Sequence, residues 1–272
     1  MGSQVYTPSP PLSEFIHFFW LHEGDKPSHP REQLMPSGIA EFVINLNDNP
    51  IPIFERGNLA RFQNYRGGIL YGAHSEPAVI DTACQDAILG IHFKPGGMFP
   101  FFDVPADELH NTIVPLDALW GREADYLRES LLAAHTHAAR FRILEAYLLA
   151  RMECFSRQPA VAFALHEFRH APQGKRVSDV IDQVGLNPKR LIQMFRQEVG
   201  LTPKLYYRVL RFNDVLHYIQ QTPSFDWADL ALAYGYFDQA HFIHDFRSFA
   251  GFTPGEYLLR RNDHFGHIPL YD

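Results

Sequence analysis

The chain has little cysteine. Its 272 residues include only Cys84 and Cys154, which stand far apart and have no thiol-rich neighbours. A disulfide scaffold is excluded; a single bridge is open to this pair, but two reduced thiols in a cytosolic chain are expected. Long apolar runs are also missing. No stretch approaches the ~18 residues that would span a membrane. The start, MGSQVYTPSPPLSEF, lacks the basic residues and apolar centre of a signal peptide. Secreted and membrane-embedded classes are therefore set aside, and a cytoplasmic protein without membrane partners is expected. Positive charge is not in excess either. Lys and Arg number 24 against 31 Asp and Glu, a net charge of -7, which argues against a uniformly basic nucleic-acid binder while leaving a local one open. No GxSxG, HExxH, GxGxxG or phosphate-binding loop occurs. No reaction is assigned, and no cofactor or metal is expected. What remains is ordinary folded composition, 46% apolar and 20% charged, in a chain long enough for one large or two modest domains.

The first hundred residues are broken by Pro and Gly into short β-prone runs: Phe15–Leu21, Glu41–Leu46, Ile51–Phe54, Gly68–Tyr71, Ala78–Asp81 and Ala87–Phe93. Such runs between turn signals predict a β-rich barrel or sandwich-like unit over 1–112. From Pro115 the apolar spacing changes to three and four, the mark of amphipathic helices. Leu144, Leu148 and Met152 can share one face. Residues 113–158 are read as a helical connector or dimerisation region, and 263–272 as a tail.

From about Pro159 the chain reads as helical, and it repeats. Leu191, Phe195-Arg196, Gly200-Leu201-Thr202-Pro203 and Tyr206 recur 51 residues later as Phe242, Phe246-Arg247, Gly251-Phe252-Thr253-Pro254 and Tyr257. Each copy has the grammar of two short helices around a tight turn. In the first, a stripe of Val177, Val180, Ile181 and Val184 ends at Gly185, and Asn187-Pro188 then offers an N-cap and a first-turn proline. In the second, Asp226 and Asp238 are candidate caps, and Thr253 with Glu256 has the capping-box spacing. Helix, turn, helix is the geometry that places a second helix in a DNA major groove. Polar residues on that helix can reach base edges: Lys189, Arg190, Gln193 and Arg196 in the first copy, Gln239, His241, His244 and Arg247 in the second. The helix between the copies, from Thr202 to about Gln221, adds Lys204, Arg208 and Arg211 for phosphates. Asp245 counts mildly against DNA at its own position, unless it accepts from cytosine. Charge divides accordingly. Residues 175–261 hold 11 Lys and Arg against 9 Asp and Glu, net +2, and the rest holds 13 against 22, net -9.

The segments GLNPKRLIQMFRQEVGLTPKLYYRVLRF and DLALAYGYFDQAHFIHDFRSFAGFTPGEYLLRR resemble the paired helix-turn-helix domain of the AraC/XylS family of transcription regulators, over about residues 160–261. The resemblance implies two helix-turn-helix units joined by a long helix and reading successive major grooves, with recognition helices Pro188–Val199 and Gln239–Ser248. Where the family often has Arg, this chain has Gln193 and His244, so an altered site preference is expected. LMPSGIAEFVINL, the FKPGG stretch and PLDALWG resemble the uncharacterised sensor-like domain attached to some of these regulators. The expected fold is two-domain α+β, a β-rich N-terminal domain with following helices and an all-α C-terminal domain over 159–262. The resemblance implies double-stranded DNA as partner, with a small-molecule effector, a homodimer, and RNA polymerase if the protein is an activator.

Rival sites carry less. His135 with His137 and His166 with His170 have ligand-compatible helical spacing, and Glu41, His74 and His92 can be imagined converging as in cupin barrels, but none has the accompanying pattern of a metal site. Phe18, Phe19, Trp20, Phe42, Phe99, Phe101 and Phe102 can line an effector pocket or simply form core. A protein-interaction or scaffold module that has lost DNA binding, and a metal-dependent enzyme in the β-rich half, stay open as alternatives.

Overall fold

The computed structural model describes all residues except 1, 2, 25, 56, 84, 153–156, 171–175, 263 and 272. Both cysteines, and the expectation attached to them, lie outside the described residues. Eleven strands are described: β1 Gln4–Tyr6, β2 Ile16–Glu23, β3 Arg31–Leu34, β4 Glu41–Asn45, β5 Ile51–Glu55, β6 Asn58–Tyr65, β7 Gly68–Tyr71, β8 Ala78–Asp81, β9 Ala87–Phe93, β10 Ile113–Pro115 and β11 His267–Leu270. They form two antiparallel sheets. One runs β1-β2-β9-β4-β7-β10 and the other β11-β3-β8-β5-β6. The six runs read from the sequence are all strands. The five that escaped it are short, or, like β6, exposed along seven of eight residues, so they carry no hydrophobic alternation.

Strand periodicity explains the layering. Phe42 and Ile44 of β4 and Leu89, Ile91 and Phe93 of β9 point to one side of the first sheet and are fully buried there. Val43, between them, packs on the other side with Ile51, Ile53, Tyr65 and Ile69. Gly90 is required on that second side, because a Cβ there would stand 2.2 Å from Cε2 of the Trp20 ring.

The buried side is covered by α1 Leu116–Trp120, α2 Arg122–Ala133 and α3 His137–Arg151. Trp120 stacks on Phe102, and Leu127, Leu131, Leu144 and Leu148 join the same core as Phe19 and Phe42. The stretch expected as a connector is therefore, up to Arg151, a packed layer of the N-terminal unit. Phe19, Phe42, Phe101 and Phe102 are core, whereas Phe18 and Trp20 are only half-buried.

The helical half comprises α4 Pro159–His170, α5 Val177–Val184, α6 Pro188–Val199, α7 Pro203–Gln221, α8 Trp227–Ala233, α9 Gln239–Ala250 and α10 Pro254–Arg260. It has two cores, one per copy of the repeat. Phe168, Val180, Phe195 and Tyr206 build the first, and Phe212, Leu230, Phe242, Phe246 and Tyr257 the second.

Each helical core also takes residues from outside. Ala73, at the end of β7, enters the first, and Met35 with Ile268 of β11 enters the second. The expected tail thus runs back to the N-terminal unit, where all four residues of β11 pair with β3. His267 Nδ1 lies 2.7 Å from one oxygen of buried Glu32, and His29 Nε2 lies 2.8 Å from the other. Burial alone would push Glu32 up; the hydrogen bonds and charges of His267 and His29 outweigh it and hold the carboxyl at about 2.

Candidate nucleic-acid interface

Local chemistry sets both recognition helices. The Asn187 side chain accepts from the Lys189 backbone N–H at 2.9 Å, and Pro188 occupies the first turn of α6. Asp238 caps α9 by accepting from the His241 N–H at 2.7 Å. Each helix ends at a left-handed glycine, Gly200 at φ +91° and Gly251 at φ +84°. The preceding helices are joined to them through Gly185 and Gly235, also at positive φ. The remaining caps read from the sequence are in place too. Asp226 accepts from the Ala228 and Asp229 N–H groups, and Thr253 and Glu256 form a reciprocal capping box.

The two helices bury and expose matching positions. Leu191 and Phe195 are inside, as are Phe242 and Phe246. Lys189, Arg190, Gln193, Arg196 and Gln197 are exposed along α6, and Ala240, His241, His244, Arg247 and Ser248 are exposed at the same five positions of α9, 51 residues on. Gln239 and Lys204 are exposed as well. The structure thus brings eight of the eleven expected residues onto the outer sides of the two recognition helices, and Lys204 onto the start of α7. Among the described residues, Lys189, Arg190, Lys204 and Arg247 have no ion-pair partner, unlike Arg196, Arg208 and Arg211.

Three expected contacts are already engaged. Arg208 donates from Nε to Asp245 at 2.9 Å and its Nη2 also binds Asp245. Arg211 is buried, donates to the other Asp245 oxygen at 3.2 Å and to the Gly235 carbonyl at 3.2 Å, and lies over the Tyr236 ring. The sequence reading set these two arginines on one phosphate-facing side. The fold instead points them at α9, because Asp245 lies inward on that helix, 3% exposed, and a buried carboxylate requires partners. This clamp was missed. The repeat held the signal, since the residue matching Asp245 in the first copy is the partly buried Met194. Arg196, exposed on α6, reaches Asp107 of the N-terminal unit at 3.1 Å. Nearby, Glu198 pairs with Arg157 at 2.9 Å.

The rival metal sets do not assemble. His92 Nδ1 stands 4.0 Å from Glu41 across β4 and β9, while His74 is buried and stacked on Tyr71. Burial pushes both imidazoles down. His166 and His170 stack on each other, and His137 pairs with Glu23. Among the described residues no group of three or more His, Cys, Asp or Glu is arranged to hold a metal ion, and no helix is long and apolar enough to cross a membrane.

Comparison with known proteins agrees with this geometry. Residues 180–260 match a helix-turn-helix domain family, and residues 4–115 match a domain of unknown function, DUF6597. No curated protein matches the chain. Among solved structures, it is similar to ToxT from Vibrio cholerae with unsaturated fatty acid bound, at 10% identity over 89% of this chain and 95% of that one, TM-score 0.48. It is also similar to an AraC-type transcriptional regulator domain from Chromobacterium violaceum, at 28% identity over 36% of this chain and 88% of that one, TM-score 0.33. The C-terminal domain of AraT, a response regulator from Geobacillus stearothermophilus, is similar over 38% of this chain at 22% identity, TM-score 0.35. The chain therefore joins a helix-turn-helix domain to a β-rich domain of unknown function.

Proposed function

We propose that α6 and α9 enter successive major grooves of promoter DNA, with Lys189, Arg190, Gln193, Gln239, His241, His244 and Arg247 facing the bases and neighbouring phosphates and Lys204 gripping the backbone. The observation that carries this is the matched exposed polar face on both helices, repeated at an offset of 51 over buried apolar faces of the same period. Arg196 joins that face when it leaves Asp107. Arg208 and Arg211 act indirectly, by holding α9 on α7 through Asp245. The work of the chain is binding rather than catalysis, in the cytoplasm where its DNA is. A small-molecule effector acts by favouring one placement of the two helices over another. Pairing of two protomers and contact with RNA polymerase belong to the same reading. The β-rich unit is where an effector is sought first.

Selection of bound DNA from a random pool, followed by footprinting, tests it. A selected site with two half-contacts one helical turn apart is expected. Gln193→Ala or His244→Ala should relax preference at one position by about 1–3 kcal/mol, and Lys204→Ala should weaken all sequences alike and reduce the salt slope. Retention on DNA that does not depend on salt, or no retention at all, would favour a protein-interaction module instead.

A further inference from the structure

A solvent-open groove of about 450 Å³ lies where α4, α7 and the end of α8 meet, lined by Arg169, Leu210, Asp214, His217, Tyr218, Gln221 and Tyr234. The positions 210, 214, 217, 218 and 221 follow helical spacing, so one face of α7 forms its floor. Two walls are aromatic. The Tyr218 and Tyr234 rings stand 5.9 Å apart, inclined at 62°.

The charges are what set this groove apart. Asp214 is half-buried in the middle of a helix and makes no hydrogen bond or ion pair with the described residues, nor does the exposed Arg169 that also lines the groove. Among the described residues of the helical half, the two buried carboxylates have partners: Asp245 has two arginines and Glu198 has Arg157. An unpaired carboxylate beside apolar side chains is costly, and nothing among the described residues offsets it. Burial pushes the Asp214 carboxyl up to about 6. Aromatic walls around a carboxylate suit an organic ammonium ion, which gains from the ring faces as well as from the charge.

We propose that this groove binds a small organic ammonium compound with an aromatic or apolar body, the ammonium at Asp214 and the body among Tyr218, Tyr234 and Leu210. Arg169 receives a carboxylate where the compound carries one, so zwitterions of the amino-acid type fit best. The groove bridges the two copies, since α4 belongs to the first, Tyr234 to the second, and α7 joins them. Occupancy therefore bears on the angle between the recognition helices. That consequence rests on the DNA-binding reading; the binding itself does not.

Calorimetric titration of the full chain without DNA tests the site separately from that reading. The probes are phenethylamine, phenylalanine and 3-phenylpropionate. Saturable binding of the amine, tighter binding of the zwitterion and weaker binding of the acid are expected. Asp214→Asn should lower affinity for the first two at least tenfold, and Arg169→Gln should lower only that for phenylalanine. Because Asp214 has no partner, Asp214→Asn should also leave the melting temperature unchanged or raise it. The proposal is overturned if neither amine-bearing probe binds saturably, if the acid binds as well as the amine, if Asp214→Asn binds unchanged, or if that variant melts lower.

Discussion

The two copies of the repeat share a backbone and differ in how they are anchored. In the first, the recognition helix α6 is held from outside. Gly200 at its end faces the N-terminal unit so closely that a Cβ would lie 2.9 Å from that of Ala73 and 3.1 Å from the Ala106 carbonyl oxygen. Arg196 meets Asp107, and Ala73 fills part of the helical core. In the second, α9 is held from within. Asp245 ties it to α7 through two arginines, and the equivalent glycine, Gly251, faces open space. The N-terminal unit reaches this copy behind the recognition helix, through Met35, the β11 strand, and Gln33 donating to the Ala250 carbonyl. A repeated sequence thus preserved helix ends and core positions while its two outward helices were assigned different supports. The β-rich unit thus touches α6 at Arg196 and at the glycine that ends it, and α9 at its last residue, Ala250.

The contrast can be broken most forcefully at Asp245. Asp245→Ala leaves Arg211 buried without its counter-charge and should cost about 3–5 kcal/mol in denaturant unfolding. The matching change in the first copy, Met194→Ala, should cost about 1–2 kcal/mol, since only partly buried packing is lost. Equal losses would mean the clamp is not what holds α9.

The tail strand comes next, through pH. Glu32 titrates lower in the folded chain, at about 2, than its ordinary value of 4.5. Its stabilising contribution is therefore fully present above pH 4.5 and is lost as pH falls towards 2. Unfolding measured from neutral pH down to about 3 should show wild type losing on the order of 2–3 kcal/mol that Glu32→Gln does not lose, because its side chain does not titrate. Parallel acid limbs for the two proteins would remove Glu32 from the account.

Glycine substitutions sharpen the comparison further. Gly251→Ala meets only the left-handed backbone and should cost about 1 kcal/mol. Gly200→Ala meets the same backbone and the N-terminal unit besides, and about 2–3 kcal/mol is expected. The difference between the two thermal shifts measures the docking of α6.

The smallest effect is predicted at the exposed pair. Asp107→Ala should change stability by less than about 1 kcal/mol. It should nevertheless release Arg196, so that titration of DNA binding against salt gains about one counterion in slope. An unchanged slope would show that Arg196 is available to DNA in wild type.

Much of the helical half was legible because its determinants are local. Caps such as Asn187 and Asp238, terminal glycines and the spacing of Phe242 and Phe246 act within one or two turns, and the offset of 51 let each copy confirm the other. The β-rich half was legible only where one sheet face is buried, as at Phe42 and Ile91. Strand β6, exposed on both faces, left no alternation to read, and β11 pairs with a strand more than 230 residues away. Among the candidate DNA contacts, exposure followed helical spacing for Lys189, Gln193 and His244. For Arg208 and Arg211 it did not, because a charge and its partner are chosen in space.

By itself the sequence determined where helices start and stop, which faces they bury, and that two like units are joined by α7, since those outcomes follow from short-range sterics, hydrogen bonding and apolar periodicity. Only the tertiary structure decided that Asp245 takes up Arg208 and Arg211, that Asp214 has no such partner among the described residues, and that the last strand returns to the first domain. Each of those depends on which charged or edge groups meet after the chain has collapsed, and desolvation makes such meetings compulsory only once the neighbours are in place.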